Sequence, residues 1–362
     1  MNDKLRVGII GATGFVGQRF VSLMENHPWF KCVAVAASPR SAGKTYAEAV
    51  EGRWKIDVAM PAYVKDMIVY GLDNVEELCA TVDFVFCAVD MKKDVIREFE
   101  EKIAKLEVPV ISNNSAHRQT PDVPMIIPEI NPEHANLIPI QRKRLGTKHG
   151  FIAVKPNCSI QSYVPALFPL MQYGIEKVMV CTYQAISGAG KTFVDWPEMN
   201  NNLIPYIGGE EEKSEQEPLK IWGSINDGMI VPADSPVISA QCYRVAVQEG
   251  HTAAVSVSFR NKPTIEQILS SWSEFVGEAI SLGLPSAPKP FLRYLEDNDR
   301  PQPRLDVMYE NGMGISIGRL REDKILDYRF ACLSHNTLRG AAGGAVLTAE
   351  LLTKYGYIEK RS

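Results

Sequence analysis

The sequence predicts an α/β protein of two units: a doubly wound parallel sheet first, then an α+β unit with a mostly antiparallel sheet, divided near residue 155. Three observations carry this. Up to Ser112, short apolar runs alternate with amphipathic helical stretches, the pattern of strands covered by helices on both faces. The first strand runs straight into Gly11-Ala12-Thr13-Gly14-Phe15-Val16-Gly17 and a helix. From Lys155 onward the runs lengthen and alternate apolar with polar residues, as in strands with one covered face.

At 362 residues the chain has room for two domains with their own cores. With 45% hydrophobic and 23% charged residues and a net charge of −4, it offers no global field to nucleic acid or to an anionic membrane. Neither is expected as a partner, and any bound anion must be met by local groups. The start, Met1-Asn2-Asp3-Lys4-Leu5-Arg6, carries no apolar targeting segment, and no apolar run is long enough to span a bilayer, so a cytoplasmic protein is expected. The seven cysteines are odd in number and scattered, with no Cys-x-x-Cys pair, which argues against a disulfide framework and against a metal site. Cys32, Cys87, Cys181 and Cys332 lie in apolar strand-like runs and are expected in the core.

In order along the chain, Arg6–Ile10 is the first strand, and a helix is expected from about Gln18 to Asn26. Three glycines between a strand and a helix let the backbone turn tightly and approach a pyrophosphate at the helix N-terminus. The second strand, Cys32–Ala37, ends in Ser38-Pro39-Arg40-Ser41-Ala42-Gly43-Lys44. An NAD site of this kind wants a carboxylate here for the ribose 2′-hydroxyl. None is present. Ser38, Arg40, Ser41 and Lys44 instead supply hydroxyls and positive charge that suit a 2′-phosphate, so NADP is the expected dinucleotide, the alternative being a solvated loop. After a polar excursion over residues 45–75, Val82–Asp90 and Val108–Ser112 read as further parallel strands around a helix at about 93–106. Beyond the last of these lies Asn113-Asn114-Ser115-Ala116-His117-Arg118, where Arg118 is either a surface charge or a planar fork for an anionic substrate.

Lys155-Pro156-Asn157-Cys158-Ser159 follows the apolar run Phe151–Val154 and precedes an expected helix. A thiol at a helix start meets free backbone N–H groups that favour the thiolate; the alternative is a buried structural cysteine. Residues 178–186 and 251–259 alternate as strands, while residues 200–235 read as irregular and polar. Within them, Glu210-Glu211-Glu212-Lys213 is either a solvated helix start or a carboxylate and an ammonium at a site. His251 follows Gly250 at the head of a strand and is the candidate base for Cys158, with Arg244 near the same strand end as a second guanidinium. A Cys–His pair beside a nicotinamide cofactor suits thiolate attack on an aldehyde, hydride transfer, and cleavage of the thioester by phosphate or water, or the same path reversed.

On these residues the sequence resembles the aspartate-β-semialdehyde dehydrogenase family, in the form shared by archaea, fungi and some bacteria. The resemblance covers nearly the whole chain. It rests on Ile238-Ser239-Ala240-Gln241-Cys242-Tyr243-Arg244-Val245 through Gly250-His251-Thr252, on Asn157-Cys158-Ser159, on Gln184-Ala185-Ile186-Ser187-Gly188-Ala189-Gly190, and on the Gly11–Gly17 turn. It implies a Rossmann-type unit of residues 1–155 plus 336–362. Residues 156–335 would form a catalytic and dimerisation unit like the C-terminal domain of glyceraldehyde-3-phosphate dehydrogenase. Cys158 would carry the acyl thioester, His251 would shuttle the proton, and Gln184 and Asn157 would position substrate. Arg244 would hold the amino-acid carboxylate and Arg118 the phosphate, with Glu210 and Lys213 at the amino group and phosphate. Gly11, Thr13, Gly14, Phe15, Val16 and Gly17 would cradle the cofactor, with Ser38, Arg40 and Ser41 at its 2′-phosphate, Ser187 and Gly188 also binding it, and Asn336 near its nicotinamide amide.

The implied reaction is NADP-dependent conversion of aspartyl phosphate to aspartate semialdehyde and phosphate, in lysine, threonine and methionine biosynthesis. Malonyl-CoA reductase and N-acetyl-glutamyl-phosphate reductase share the logic and stay open, as does a redox sensor that binds NADP without turnover. Open sheets usually bury an apolar face in a symmetric partner, so a homodimer or homotetramer is expected.

Overall fold

The computed structural model describes residues 4–361; residues 1–3 and 362, which fall in the expected nucleotide unit, lie outside them. Six strands, β1 (Leu5–Ile10), β2 (Phe30–Ala37), β3 (Val69–Gly71), β4 (Phe84–Cys87), β5 (Val110–Ser112) and β6 (Ile152–Val154), form a sheet in the order β3-β2-β1-β4-β5-β6. Every pairing in it is parallel. The order reverses at β1, which places a ligand crevice at the carboxyl ends of β1 and β4. Helix α1 (Phe15–Met24) begins three residues before the expected Gln18, because Gly14 already takes the extended backbone of an N-cap (φ −76°, ψ 168°). β3 lies inside the stretch read as a polar excursion; an edge strand of three residues is too short to show a period.

The second sheet has seven strands in the order β13-β14-β15-β12-β7-β11-β8. They are β7 (Ile175–Gln184), β8 (Leu203–Ile204), β11 (Val237–Val245), β12 (His251–Phe259), β13 (Leu292–Leu295), β14 (Ile315–Glu322) and β15 (Tyr328–Ser334), with a separate hairpin of β9 (Ser224–Asn226) and β10 (Met229–Val231). Four of the six pairings are antiparallel, as expected, but β7–β11 and β13–β14 are parallel, so the sheet is mixed. Period-two alternation reports one covered face and is blind to strand direction. The parallel β7–β11 pair follows from the crossover between them, which carries the helix Glu210–Ile221. Residues 200–235 are therefore not irregular: they hold β8, this helix and the β9–β10 hairpin. Cys181 also departs from expectation. Cys32, Cys87 and Cys332 are buried, whereas Cys181 is half-buried on the outer side of β7, between exposed Met179 and Tyr183.

After β15 the chain returns to the first sheet. A single π-turn, Leu338–Ala342, leads into the helix Gly343–Lys354, whose Val346, Leu347, Leu351 and Leu352 share one core with Val7, Phe20, Phe30 and Phe84. Arg339 anchors the return. Its guanidinium meets Glu129 in a bidentate pair (2.7 Å each), donates to Gln161 Oε1 at 3.2 Å and lies 4.6 Å over the Phe291 ring. The pair is dry, with side chains 1% and 0% exposed. Arg339→Met should lower the unfolding free energy by about 3–5 kcal/mol by leaving Glu129 buried and unpaired, and Arg339→Met with Glu129→Leu should recover most of it, both read from urea midpoints.

Candidate active site

β6 delivers Lys155-Pro156-Asn157-Cys158 at the edge of the first sheet. The expected helix after the thiol is a run of short segments, the 3₁₀ turn Ser159–Ser162 capped by Cys158, the α-helical Val164–Leu167 and the 3₁₀ stretch Phe168–Tyr173. Burial pushes the thiol up, and the Glu210 carboxylate adds to this; the opposing influences are the cations Lys155, Arg118 and Arg244, in that order. Lys155 itself is buried and held down to about 7 by desolvation, with Nζ bonded to Pro156 O at 2.5 Å.

His251 opens β12, and its Nε2 lies 3.4 Å from Cys158 Sγ. Gly250 supplies the corner, at a φ of +100° that favours glycine. The Ala185 N–H donates to Nδ1 at 3.0 Å, so a neutral ring carries its proton on Nε2, facing the sulfur. Burial, then Arg244, holds the imidazole well below its usual range and keeps it neutral. Such a ring offers a donor to a thiolate, or to an oxygen that gains charge on a carbon bonded to the sulfur.

The helix Glu210–Ile221 turns a charged face inward, with Glu210, Ser214 and Glu217 buried at helical spacing. Glu210 accepts from Asn157 Nδ2 (3.0 Å), Gln184 Nε2 (3.2 Å) and Lys213 Nζ (2.7 Å), so four predicted residues meet beside the thiol. Burial alone would raise Glu210, but Lys213 and these bonds hold its carboxyl below the usual range. Arg118 is buried: Nη1 pairs with Glu217 at 3.0 Å, while Nε and Nη2 bond the Lys155 and Asn113 carbonyls. Glu217 also accepts the Asn157 N–H at 2.6 Å, tying the fork to the thiol turn. Arg244 Nη1 donates to Ala185 O at 2.7 Å.

On the nucleotide side, a Cβ at Gly11 or Gly17 would strike the neighbouring backbone, while one at Gly14 would meet nothing closer than 3.5 Å. Phe15 is buried, and the Thr13 carbonyl accepts from Gln18 Nε2 at 3.1 Å; Val16 lies beside them in the first turn of α1. Ser38 and Arg40 are exposed at the carboxyl end of β2, and Ser41 is buried, its Oγ 3.4 Å from Arg53 Nη2. Gly188 has no room for a side chain, since a Cβ there would lie 2.8 Å from Arg244 Nη1 and 3.1 Å from the His251 ring. Asn336 spends its amide on the framework, accepting the Gly250 N–H at 2.8 Å and donating to Ser187 Oγ at 2.7 Å.

Sequence reasoning missed four residues here: Lys155, Arg53, Glu217 and Glu249. Only two carried a signal, Lys155 by adjacency to Cys158 and Glu217 by lying seven residues beyond Glu210 on one helix face. Among the described residues no cluster of His, Cys, Asp or Glu is arranged to hold a metal ion.

A doubly wound sheet joined to a buried Cys–His pair defines a class, the dehydrogenases whose chemistry runs on a thiol. More narrowly, the chain belongs to the semialdehyde dehydrogenase family: that family's NAD binding domain matches residues 6–138 and its dimerisation domain residues 167–339. Aspartate-semialdehyde dehydrogenase of Archaeoglobus fulgidus is 43% identical over 97% of this chain and 98% of its own, and that of Saccharomyces cerevisiae 41% identical over 97% and 98%. Among solved structures, aspartate semialdehyde dehydrogenase with NADP from Candida albicans superposes with a TM-score of 0.86 at 38% identity, over 98% of this chain and all of that one.

Removing the Arg244 guanidinium disfavours the thiolate, so Arg244→Met should raise the pH midpoint of Cys158 alkylation by roughly 1 unit. The rate of inactivation by iodoacetamide against pH measures it, and an unmoved midpoint would remove Arg244 from the thiol's electrostatics.

Proposed function

We propose that this chain catalyses the NADP-dependent reductive dephosphorylation of L-4-aspartyl phosphate to L-aspartate 4-semialdehyde, on the route to lysine, threonine and methionine. The observation that carries the reading is the 3.4 Å Cys158–His251 pair with an ionised Glu210 and the Arg244 guanidinium beside it. A thiol flanked by one fixed negative and one fixed positive charge suits an amino acid, whose ammonium and carboxylate they would meet. Malonyl-CoA lacks the ammonium, and an N-acetyl substrate has it masked.

NADP fits the first sheet. Gly14 leaves the approach to α1 clear, Arg40 and Arg53 add positive charge around Ser41, and Asn113 Nδ2, buried at the end of β5, has no partner among the described residues. When bound, the cofactor supplies the hydride. Everything else falls to side chains. The Cys158 thiolate, with the His251 Nε2–H as its donor, adds to the acyl carbon, and phosphate departs with the electrons of the C–O bond, leaving a thioester. Lys213 and Arg118 would receive the phosphate; three of the five Arg118 N–H groups are spent on Glu217 and two carbonyls, which fixes the fork and leaves two free. Once the thioester carbon is reduced, the His251 Nε2–H donates a hydrogen bond to the negatively charged oxygen, and as that oxygen re-forms its C=O bond the C–S bond breaks, releasing semialdehyde and thiolate. Gln184 and Asn157 hold Glu210 in place for the substrate ammonium.

On this reading residues 1–155 with 336–362 form the nucleotide unit and 156–335 the catalytic one. The partner is a second copy, giving a homodimer or a dimer of dimers, docked on the outer face of the seven-stranded sheet. Met179 (53% exposed), Tyr183 (37%) and Val237 (69%) stand on that face, and Met179 lines a 360 Å³ cleft bounded by Arg321 and Arg329. No helix among the described residues is long and apolar enough to cross a membrane, and all seven cysteines are free, which suits the cytoplasm.

The test is a panel of aspartate semialdehyde, N-acetyl-glutamate semialdehyde and malonyl-CoA, each with NADP(H) and NAD(H). Turnover should be confined to aspartate semialdehyde with phosphate and favour NADP, and Cys158→Ala should abolish it while still binding NADP. Silence toward all three would revive the sensor. Val237→Asp should shift the sedimentation coefficient toward monomer, and an unaltered oligomer would place the interface elsewhere.

A further inference from the structure

Glu249 lies two residues before His251 and takes no part in the steps above. Its Oε1 pairs with Arg19 Nη2 at 3.0 Å, and its Oε2 accepts from Ser187 Oγ at 2.9 Å and Thr337 Oγ1 at 3.3 Å. Arg19 Nε bonds Thr337 Oγ1 at 3.1 Å, closing a ring. The ring continues inward through Asn336, which joins Ser187 Oγ to the Gly250 N–H. Four segments thus converge on one carboxylate: α1, the turn after β7, the head of β12 and the chain returning from β15. The side chains of Arg19 and Glu249 are only 9% and 13% exposed, so water does little to screen them.

We propose that Glu249 is a positioning residue which, through Arg19, registers the helix that starts at the cofactor turn against the Gly250–His251 corner. Arg19 stands in the second turn of α1, so a shift of that helix moves the dinucleotide cradle with it. Ser187 precedes Gly188, whose missing side chain opens space over the Arg244 guanidinium and the imidazole. One network therefore sets the seat of the nicotinamide, the imidazole and the cradle together. Hydride transfer depends steeply on such registry, and a misplacement of about 1 Å is worth roughly 100-fold in rate. This inference rests on the dehydrogenase reading.

The experiment compares wild type, Glu249→Gln, and the double variant Arg19→Met/Glu249→Gln, which leaves no buried charge unpaired. Readouts are kcat, the primary isotope effect with NADPH deuterated at the transferred position, NADPH affinity by fluorescence titration, and the thermal midpoint. Both variants should lose ~10- to 100-fold in kcat and show a larger isotope effect, with NADPH affinity nearly unchanged. The double variant should be no worse than the single one, because both cut the same link. A purely structural role would lower the thermal midpoint and leave the isotope effect alone. Wild-type kcat and isotope effect in a folded double variant, or losses that add, would overturn the proposal. Absence of wild-type turnover with aspartyl phosphate would instead remove the dehydrogenase reading, and this inference with it.

Discussion

Burying charge around one thiol is the constraint on which the rest of this structure depends. Four carboxylates lie within the protein near the site, and each is answered by a cation: Glu210 by Lys213, Glu217 by Arg118, Glu249 by Arg19 and Glu129 by Arg339. A lone buried charge would cost several kcal/mol or neutralise itself, whereas paired charges keep fixed geometry in a medium that does not screen them. Three of the four pairs also cross between segments far apart in sequence, Glu210–Lys213 being local to one helix, so the polarity of the site and its assembly are one problem. Lys155 stands apart, with a carbonyl as its acceptor rather than a carboxylate, and its ammonium is the strongest cationic influence on the sulfur.

Much of this was legible in the chain itself. The parallel sheet, the turn at Gly11–Gly17 and the pairing of Cys158 with His251 follow from period, glycine spacing and strand ends, which are local properties. What escaped was non-local. The helix Glu210–Ile221 reads equally as a solvated helix start or as a carboxylate and an ammonium at a site, because inward-facing helices are expected to be apolar and this one faces a polar site. Arg118 as a free fork and Asn336 as a nicotinamide contact omitted partners about a hundred residues or more away, Glu217 and Ser187. The helix start expected at Cys158 is present, but the cations that oppose the burial of the thiol include Arg118 and Arg244, brought in by other elements.

Close approach is the second organising feature. Gly188 lets the turn after β7 lie against Arg244 and His251, and Gly340, in the π-turn, lets the returning chain lie against the thiol, where a Cβ would come within 2.9 Å of Cys158 Cβ. π-turns recur at functional sites because the extra residue redirects a helix without ending it. Here the redirection carries Arg339 toward Glu129 and the following helix toward the first sheet.

That last helix has a meaning for how the molecule is made. The ribosome releases β1 through β6 early, but the wall formed by Val346, Leu347, Leu351 and Leu352 emerges only after the entire seven-stranded sheet. The first sheet thus spends most of translation with Val7, Phe20, Phe30 and Phe84 short of their final cover, against the usual order in which an N-terminal domain completes itself first. In the nascent chain that core is closed only when the helix Gly343–Lys354 arrives.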